Sequence, residues 1–164
     1  MNDTRPPNLS PTDEVAVRGL YHRAMEGWNM RDGAAFAGPF APDGEMIGFD
    51  GSRYTGRSVI AAEIGRITTE HDTPEYVARI RLVRPLAPGA ALLDAVAGMV
   101  PADADDPDPA LNALHTVIAV NRGAGWRIAL LQNTPAAYHG RPDRARALTG
   151  ELRTLARRSP DPPA

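Results

Sequence analysis

The sequence predicts an α+β fold in which helices pack on the concave face of a curved antiparallel sheet. Amphipathic helical patterns dominate the first part of the chain, and four strand patterns then follow one another as a meander before a last helix. The chain has 164 residues and no cysteine, so it can bury a hydrophobic core without disulfides. We therefore expect a single domain.

The helices are recognised by apolar residues that recur at helical spacing. The first begins after the N-cap residue Ser10, which is followed by Pro11 and an acid in the first turn. A short second helix is expected over residues 34–40, a third after Gly56 and a last one from Pro142. The residues at helical spacing are Val17, Leu20, Tyr21, Ala24 and Trp28 in the first helix, Ile60, Ile64 and Ile67 in the third, and Leu148, Leu152 and Leu155 in the last.

Strands are predicted where apolar and β-branched residues run between turn signals. Asp50-Gly51 predicts a hairpin within GEMIGFDGSRYTG. Two longer hairpins turn at Pro88-Gly89 and at Arg122 to Gly125. Their strands are expected over residues 76–86, 90–100, 113–121 and 126–134.

Both ends of the chain are polar and rich in proline. Residues 1–9 and 159–164 are therefore expected to be disordered tails around one domain, residues 10–158. The N-terminal residues lack the apolar segment of a signal peptide, and no apolar run is long enough to cross a bilayer. This pattern predicts a cytoplasmic protein without membrane contact.

The composition excludes several classes of function. The net charge is -2 and no basic block is interleaved with aromatic residues, so we expect no binding to nucleic acid. All eighteen basic residues are arginine, so no lysine is present to form a Schiff base. His22, His71 and His139 show no metal spacing, and neither a glycine-rich phosphate loop nor a nucleophile elbow occurs. We expect no metal and no other cofactor.

The stretch GWRIALLQNT combines an apolar strand with a polar end. If the last hairpin closes through four residues, Asn121 lies opposite Trp126, and His115 lies opposite Gln132. Trp126, Gln132 and His115 then share the inner face of the sheet with Leu130. An imidazole and an amide at the end of an apolar surface predict a small-molecule pocket.

Asp94 is the only charged residue in the strand AALLDAVAGMV. If its side chain faces the same cavity, Asp94 and His115 form a candidate acid/base pair for catalysis. Two alternatives remain open: Asp94 is a structural acid paired with Arg79 or Arg81, and His115 is a core histidine bonded to Gln132. The candidate ligand-binding residues are Tyr21, Trp28, Phe49, Tyr54, Met99, Trp126, Gln132 and Asn133, most of which would serve equally well as core.

Three stretches of the chain carry a resemblance to a known family. The first helix ends in GWNMRD, and the chain continues with FAPDGEMIGFDGSRYTGRSVIAAEI and later with NALHTVIAVNRGAGWRIALLQNTPAAYHGRPD. These stretches resemble the SgcJ/EcaC family of the nuclear transport factor 2-like superfamily, which also contains the SnoaL-like polyketide cyclases and ketosteroid isomerase. The match covers nearly the whole chain between the tails, and GFDG and QNTPAAYHGRP are its most specific motifs.

The resemblance implies a cone-shaped, cystatin-like fold with a pocket between helices and sheet. It also implies a homodimer packed through the sheet and a setting in actinomycete secondary metabolism, with members tied to enediyne biosynthesis. The catalytic residues of the isomerase are not carried over, because Ala24, Gly48 and Val117 stand at their positions.

The sequence therefore favours a protein that binds a hydrophobic polyketide or polyene intermediate. The alternative is a cofactor-independent cyclase or isomerase with Asp94 as base, His115 as acid and Gln132 polarising a carbonyl. A dimeric scaffold with a vestigial pocket is a third interpretation. We expect a homodimer with Leu131 near the interface, and polyketide biosynthetic enzymes as further partners.

Overall fold

The computed structural model describes residues 8–158, so the predicted tails lie outside the described residues except for residues 8 and 9. The α+β fold class is confirmed. In chain order the elements are α1 (Pro11–Asn29), α2 (Gly33–Ala37), β1 (Phe40–Ile47), β2 (Arg53–Thr55), α3 (Arg57–Glu70), β3 (Glu75–Ala87), β4 (Ala90–Val100), a short 3₁₀ helix (Pro109–Leu111), β5 (Ala113–Asn121), β6 (Trp126–Pro135) and α4 (Pro142–Arg157).

The predicted helices and strands are present, and the largest shift of a boundary is at the end of the second helix. The second helix ends at Ala37, whereas the sequence predicted that it would continue to Phe40. Pro39 explains the difference, because its backbone nitrogen carries no hydrogen and so cannot continue the helical hydrogen bonds, although Gly38 before it still has helical φ and ψ angles. Phe40 instead begins the first strand.

The six strands form one curved, open sheet in the order β2-β1-β6-β5-β4-β3. Neighbouring strands are antiparallel except β1 and β6, which pair in parallel. Helices α1, α2 and α3 cover the inner face, where they enclose the main core. None of the helices in residues 8–158 is long and apolar enough to cross a membrane.

Two glycines allow the three helices to approach each other closely. A Cβ atom at Gly27 of α1 would lie 2.3 Å from the backbone nitrogen of Phe36 in α2. A Cβ atom at Gly33 of α2 would lie 2.3 Å from the backbone oxygen of Ala61 in α3. Only glycine fits at these contacts, which fix the helices that form one side of the cavity described below.

Helix α4 packs on the outer face of the sheet, away from the other helices. Its Leu148 and Leu152 form a separate apolar cluster with Val96 of β4, which alternates with the inward-facing residues of that strand. Glu151 of the same helix binds Arg79 and Arg81 of β3, at 3.1 and 2.5 Å. These arginines therefore pair with Glu151 and not with Asp94.

A β-bulge in the last hairpin changes the predicted register. The pairing starts as predicted, with Asn121 opposite Trp126. It then shifts by one residue, because Ile118 lies opposite Leu130 and Ala129 is an extra residue on β6. Every residue of β6 beyond the bulge therefore faces the side opposite to the predicted one.

The bulge exchanges the inward-facing residues at the end of β6. His115 lies opposite Asn133, and the prediction that it meets Gln132 is wrong. Gln132 is exposed on the outer face, next to Thr116. Leu131 is only 3% exposed and belongs to the core, so its predicted place on the outer face is also wrong. Leu130 takes that outer position.

Asp94 faces away from His115. In the pairing of β4 with β5, Ala95 lies opposite His115, and Asp94 lies opposite Thr116. Successive side chains of a strand point to opposite faces, so Asp94 belongs to the outer face. The predicted acid/base pair of Asp94 and His115 is wrong.

Candidate functional site

A cavity of about 370 Å³ lies between the inner face of the sheet and helices α1, α2 and α3. Its volume falls in the range of about 300 to 1,000 Å³ that is usual for small-molecule sites. The wall is mainly apolar and is formed by Met25, Trp28, Phe36, Met46, Phe49, Tyr54, Ile64, Ile67, Met99, Leu111 and Leu131.

The C-terminal end of α1 is tied to the start of β3 at the cavity wall. The Trp28 indole nitrogen donates to the backbone oxygen of Pro74 at 2.9 Å. The Asn29 side chain both donates to the backbone oxygen of Tyr76, at 3.0 Å, and accepts from its backbone nitrogen, at 2.7 Å. These bonds orient Trp28 and Tyr76, whose rings lie 5.4 Å apart, toward the cavity.

His115 forms the polar end of the cavity together with Tyr21. The His115 side chain is 1% exposed, and its Nδ1 lies 2.8 Å from the hydroxyl oxygen of Tyr21. Tyr21 is fully buried, and Nδ1 is the partner found for its hydroxyl among the described residues. A buried hydroxyl requires an acceptor for its hydrogen, so we assign Tyr21 as the donor to Nδ1. Neutral His115 then carries its own hydrogen on Nε2.

Asn133 and Tyr76 complete this polar cluster. Nδ2 of Asn133 donates to the Tyr76 hydroxyl at 3.3 Å. Within residues 8–158, neither Oδ1 of Asn133 nor Nε2 of His115 has a hydrogen-bond partner, although both atoms are buried. A buried polar atom without a partner costs about 1 to 3 kcal/mol, and such atoms point to a binding role when they occur in a cavity wall.

The polar cluster is uncharged near neutral pH. Burial lowers the pKa of His115 to about 4, and the neighbouring Asn133 side chain offsets this only in part. Burial raises the pKa of Tyr76 to about 12, against the opposing hydrogen bond from Asn133. Burial, together with repulsion from Tyr76, also raises the pKa of Tyr21. The imidazole is therefore neutral and both phenols keep their protons.

Asp50 is the only charged side chain among the described residues that line the cavity. It lies in the exposed turn between β1 and β2, where its carboxylate accepts from the backbone nitrogen and the hydroxyl of Ser52, both at 2.9 Å. These hydrogen bonds lower the pKa of Asp50. The carboxylate is thus part of the turn at the rim, away from the buried polar cluster.

The structure brings together six of the predicted site residues. The cavity wall includes Trp28, Phe49, Tyr54, Met99, His115 and Asn133. Tyr21 does not line the cavity, but its hydroxyl is hydrogen-bonded to Nδ1 of His115.

Three predicted site residues lie elsewhere. Asp94 and Gln132 belong to the outer face. Trp126 lies at the opposite end of β6, where its indole nitrogen donates to the carboxylate of Asp13 at 2.8 Å. It is therefore part of the core near the start of α1 and does not line the cavity.

Tyr76 is the polar wall residue that the sequence reasoning missed. Strand alternation was the available signal, because Tyr76, Ala78 and Ile80 share one face of β3. The contact with Asn133 joins β3 and β6, which are separated in the sheet by β4 and β5. No sequence pattern indicates such a contact.

No group of three His, Asp or Glu side chains in residues 8–158 is arranged to hold a metal ion.

Comparison with known proteins shows the fold. No family model matches the chain, and no curated protein matches it either. Among solved structures, a domain of unknown function with a cystatin-like fold from Nostoc punctiforme PCC 73102 superposes with a TM-score of 0.76 at 23% identity, over 89% of this chain and 98% of that one.

Two further structures extend the comparison. An NTF-2 like protein of unknown function from Shewanella oneidensis MR-1 gives a TM-score of 0.59 at 18% identity, over 76% of this chain and 99% of that one. ActVI-ORFA from Streptomyces coelicolor gives 0.61 at 18% identity, over 75% and 97%. The predicted nuclear transport factor 2-like, cystatin-like fold is therefore confirmed.

Proposed function

We propose that this protein binds a hydrophobic small molecule, a polyketide or polyene intermediate, in the cavity beneath α1, α2 and α3. One observation carries the proposal. The cavity is apolar along most of its wall, yet its buried end holds two polar atoms, on His115 and Asn133, that have no partner within residues 8–158. A cavity that served only packing would satisfy these atoms internally or replace them with apolar groups.

The wall is suited to an extended or fused-ring apolar ligand. Aromatic and methionine side chains dominate it, and methionine adapts its shape to irregular ligands. Each Å² of apolar surface that the ligand buries contributes about 25 cal/mol. Affinity is then expected to come mainly from the wall, and orientation from the polar cluster.

The second candidate function is that of a cofactor-independent cyclase or isomerase acting on a polyketide. The observation that favours it is the desolvated polar cluster, because Nε2–H of His115 and the Tyr76 hydroxyl are donors suited to a developing enolate oxygen. The missing part is a base. Asp94 lies on the other face, Asp50 is held in the rim turn, and Nδ1 of His115 accepts from Tyr21. Binding without turnover is therefore the favoured function.

The wider setting of the proposal is a cytoplasmic protein of actinomycete secondary metabolism, of the SgcJ/EcaC family and acting in enediyne biosynthesis. The resemblance of the sequence motifs supports it, as does the shared fold with a Streptomyces protein. The GFDG motif forms the turn at the cavity rim, Gly48 to Gly51. We also propose polyketide biosynthetic enzymes as partners.

The assembly that we propose is a homodimer packed through the outer face of the sheet. Leu82 and Leu114 are 41% and 37% exposed there, and Ile118 and Leu130 lie on the same face. Exposed apolar residues on one sheet face favour a covering partner. Sizing chromatography with light scattering at micromolar concentration tests this proposal, and a monomeric mass would contradict it.

The binding function is tested with Trp28 as an internal reporter. The chain has two tryptophans, of which Trp28 lines the cavity and Trp126 does not. In a Trp126→Phe variant, we expect titration with the uncharged polyene retinol to quench the remaining fluorescence and to saturate. Retinol quenches tryptophan by energy transfer across a domain of this size, so the place of binding is read with 1-bromodecane, an apolar ligand whose bromine quenches only tryptophans that it approaches closely. 1-Bromodecane should quench Trp28 in the Trp126→Phe variant and leave the Trp126 signal of the matched Trp28→Phe variant unchanged. Equal quenching of both variants by 1-bromodecane would place the ligand outside the cavity.

A producing strain supplies the natural ligand. The protein is incubated with an extract of that strain and repurified, and any bound small molecule is identified by mass spectrometry. An unchanged ligand supports binding, whereas a converted one supports the cyclase or isomerase. A protein that retains no small molecule from such an extract would contradict both.

A further inference from the structure

We infer that the cavity selects ligands whose buried end is an uncharged group with a hydrogen-bond acceptor beside a donor, such as a carbonyl next to a hydroxyl, or a primary amide. The inference rests on the proposed function and adds the chemistry of the group that is recognised. It makes His115 and Asn133 the residues that determine specificity.

The donor of the protein is Nε2–H of His115. Tyr21 fixes this tautomer, since its hydroxyl donates to Nδ1 at 2.8 Å. The Nε2 atom is buried and has no acceptor among the described residues. The ligand atom that meets it must therefore be an acceptor, for which a carbonyl oxygen is well suited.

The acceptor of the protein is Oδ1 of Asn133. Nδ2 of the same amide donates to the Tyr76 hydroxyl at 3.3 Å. Oδ1 is therefore the atom of the side chain that has no partner among the described residues. Oδ1 accepts only, so the ligand atom that meets it must carry a hydrogen.

The two protein atoms are close enough to be served by one functional group. His115 and Asn133 are directly opposite each other on β5 and β6, and residues in that relation have Cβ atoms about 4.5 to 5.5 Å apart. The Asn133 side chain is near enough to raise the pKa of His115 as a hydrogen-bonding neighbour, but within residues 8–158 the hydrogen-bond geometry leaves both Nε2 and Oδ1 without a partner. A group with adjacent acceptor and donor would satisfy both atoms at once.

Charged groups are excluded from this end of the cavity. The described wall residues include no arginine, and the one charged side chain, Asp50, is itself an anion at the rim. His115 is neutral, because burial holds its pKa near 4. A buried carboxylate would therefore lose its hydration without gaining a counter-charge.

Three isosteric probes test the inference: 2-naphthamide, 2-acetylnaphthalene and 2-naphthoate. They share the same apolar body and differ only in the group that would reach His115 and Asn133. We expect the amide to bind about tenfold more tightly than the ketone, which cannot donate to Asn133. The naphthoate should bind more weakly than both at pH 7. Binding is followed by isothermal titration calorimetry.

A pair of matched variants assigns the preference to Asn133. In Asn133→Ala, the affinity for the ketone should change little, whereas the preference for the amide over the ketone should fall from about tenfold to about twofold or less. Asn112→Ala is the control. Like Asn133, Asn112 has a buried Oδ1 that lacks a partner among the described residues, and its Nδ2 donates to a hydroxyl, that of Thr149. Asn112 lies outside this cavity.

The outcomes separate the inference from the proposed function. Equal affinity of the wild-type protein for all three probes, or tightest binding of the naphthoate, would overturn the inference and leave the binding function intact. A preference that is lost equally in Asn112→Ala and Asn133→Ala would overturn the role of Asn133. If none of the three probes binds and retinol also fails to bind, the proposed function falls together with the inference.

Discussion

Lowering the pH from 7 to 4 should destabilise this protein through His115, because the groups that face the imidazole are uncharged. Burial lowers the pKa of His115 from its usual 6.5 to about 4 in the folded protein. Between these two values the unfolded chain binds a proton that the folded protein does not bind. Stability therefore falls as the pH decreases through this window, and the contribution is constant above about pH 6.5 and below about pH 4.

The size of the effect follows from the same two values. Lowering the pKa from 6.5 to about 4 corresponds to about 3 kcal/mol in total, or about 1.4 kcal/mol for each pH unit inside the window. Tyr21 and Tyr76 flank the ring and are neutral, and the Asp94 carboxylate lies on the other face of the sheet. No described carboxylate stabilises the protonated ring. A carboxylate facing His115 would have raised its pKa, and the protein would then become more stable as the pH decreases.

The assay is urea unfolding followed by circular dichroism at intervals from pH 4 to 8, for the wild-type protein and for His115→Gln. The carboxylates titrate in both proteins, so the difference between the two free energies of unfolding isolates His115. This difference should change by about 3 kcal/mol across the window. A difference that is independent of pH, or an NMR titration of the His115 ring with a pKa of 6.5 or more, would refute the reasoning.

Three further predictions concern single substitutions, each measured by urea unfolding at pH 7. Tyr21→Phe should lower the free energy of unfolding by about 1 to 3 kcal/mol, because it removes the donor to a buried imidazole nitrogen. The ¹⁵N chemical shifts of the wild-type His115 ring should show its hydrogen on Nε2, and a hydrogen on Nδ1 would count against the assignment. Asp94→Asn should change stability by less than about 0.5 kcal/mol and leave retinol binding unaltered, and a loss of binding would restore Asp94 to the site. Gly33→Ala should cost about 3 kcal/mol or more because its Cβ would meet a backbone oxygen at 2.3 Å, whereas Gly150→Ala, with open space around it, should stabilise helix α4 by about 0.5 to 1 kcal/mol; equal effects at the two glycines would contradict the packing argument.

The elements of the fold could be predicted because each depends on local spacing. Apolar residues at helical spacing identify α1, α3 and α4. The turn residues at Gly89 and Gly123 identify the hairpins, and both glycines have positive φ angles. The face of the sheet on which α4 packs could not be predicted in this way. Its amphipathic pattern predicts burial of Leu148 and Leu152, but that pattern is the same whether the helix covers the inner or the outer face.

The site was predicted in part, and the errors have two physical causes. The cavity aromatics could be predicted because large apolar residues gather on the inner face of the sheet. Trp126 is on the same face, but it lies at the start of β6, away from the cavity. Asp94 was misplaced because the long connection before β5 leaves its register with His115 undefined in the sequence. Once the pairing of Ala95 with His115 is known, strand alternation alone moves Asp94 to the outer face.

The bulge at Ala129 decides which polar residue at the end of β6 matters. Gln132, Asn133 and Thr134 follow one another in the sequence, and alternation allows only one or two of them to face inward. Without the bulge, Gln132 and Thr134 would face the cavity and Asn133 would face solvent. With it, Leu131 fills the core and Asn133 reaches Tyr76, while Gln132 and Thr134 are exposed.

The local sequence does not predict this bulge, since Ala129 is neither a glycine nor a proline. Its φ angle is not positive, so the bulge does not require a glycine there. The bulge is instead a consequence of packing on both faces. Without the shift, Leu131 would face the outside and leave the core, and the amide that closes the polar cluster would be lost with it. The same one-residue insertion therefore serves stability through Leu131 and recognition through Asn133, which couples the fold of the last hairpin to the chemistry of the cavity.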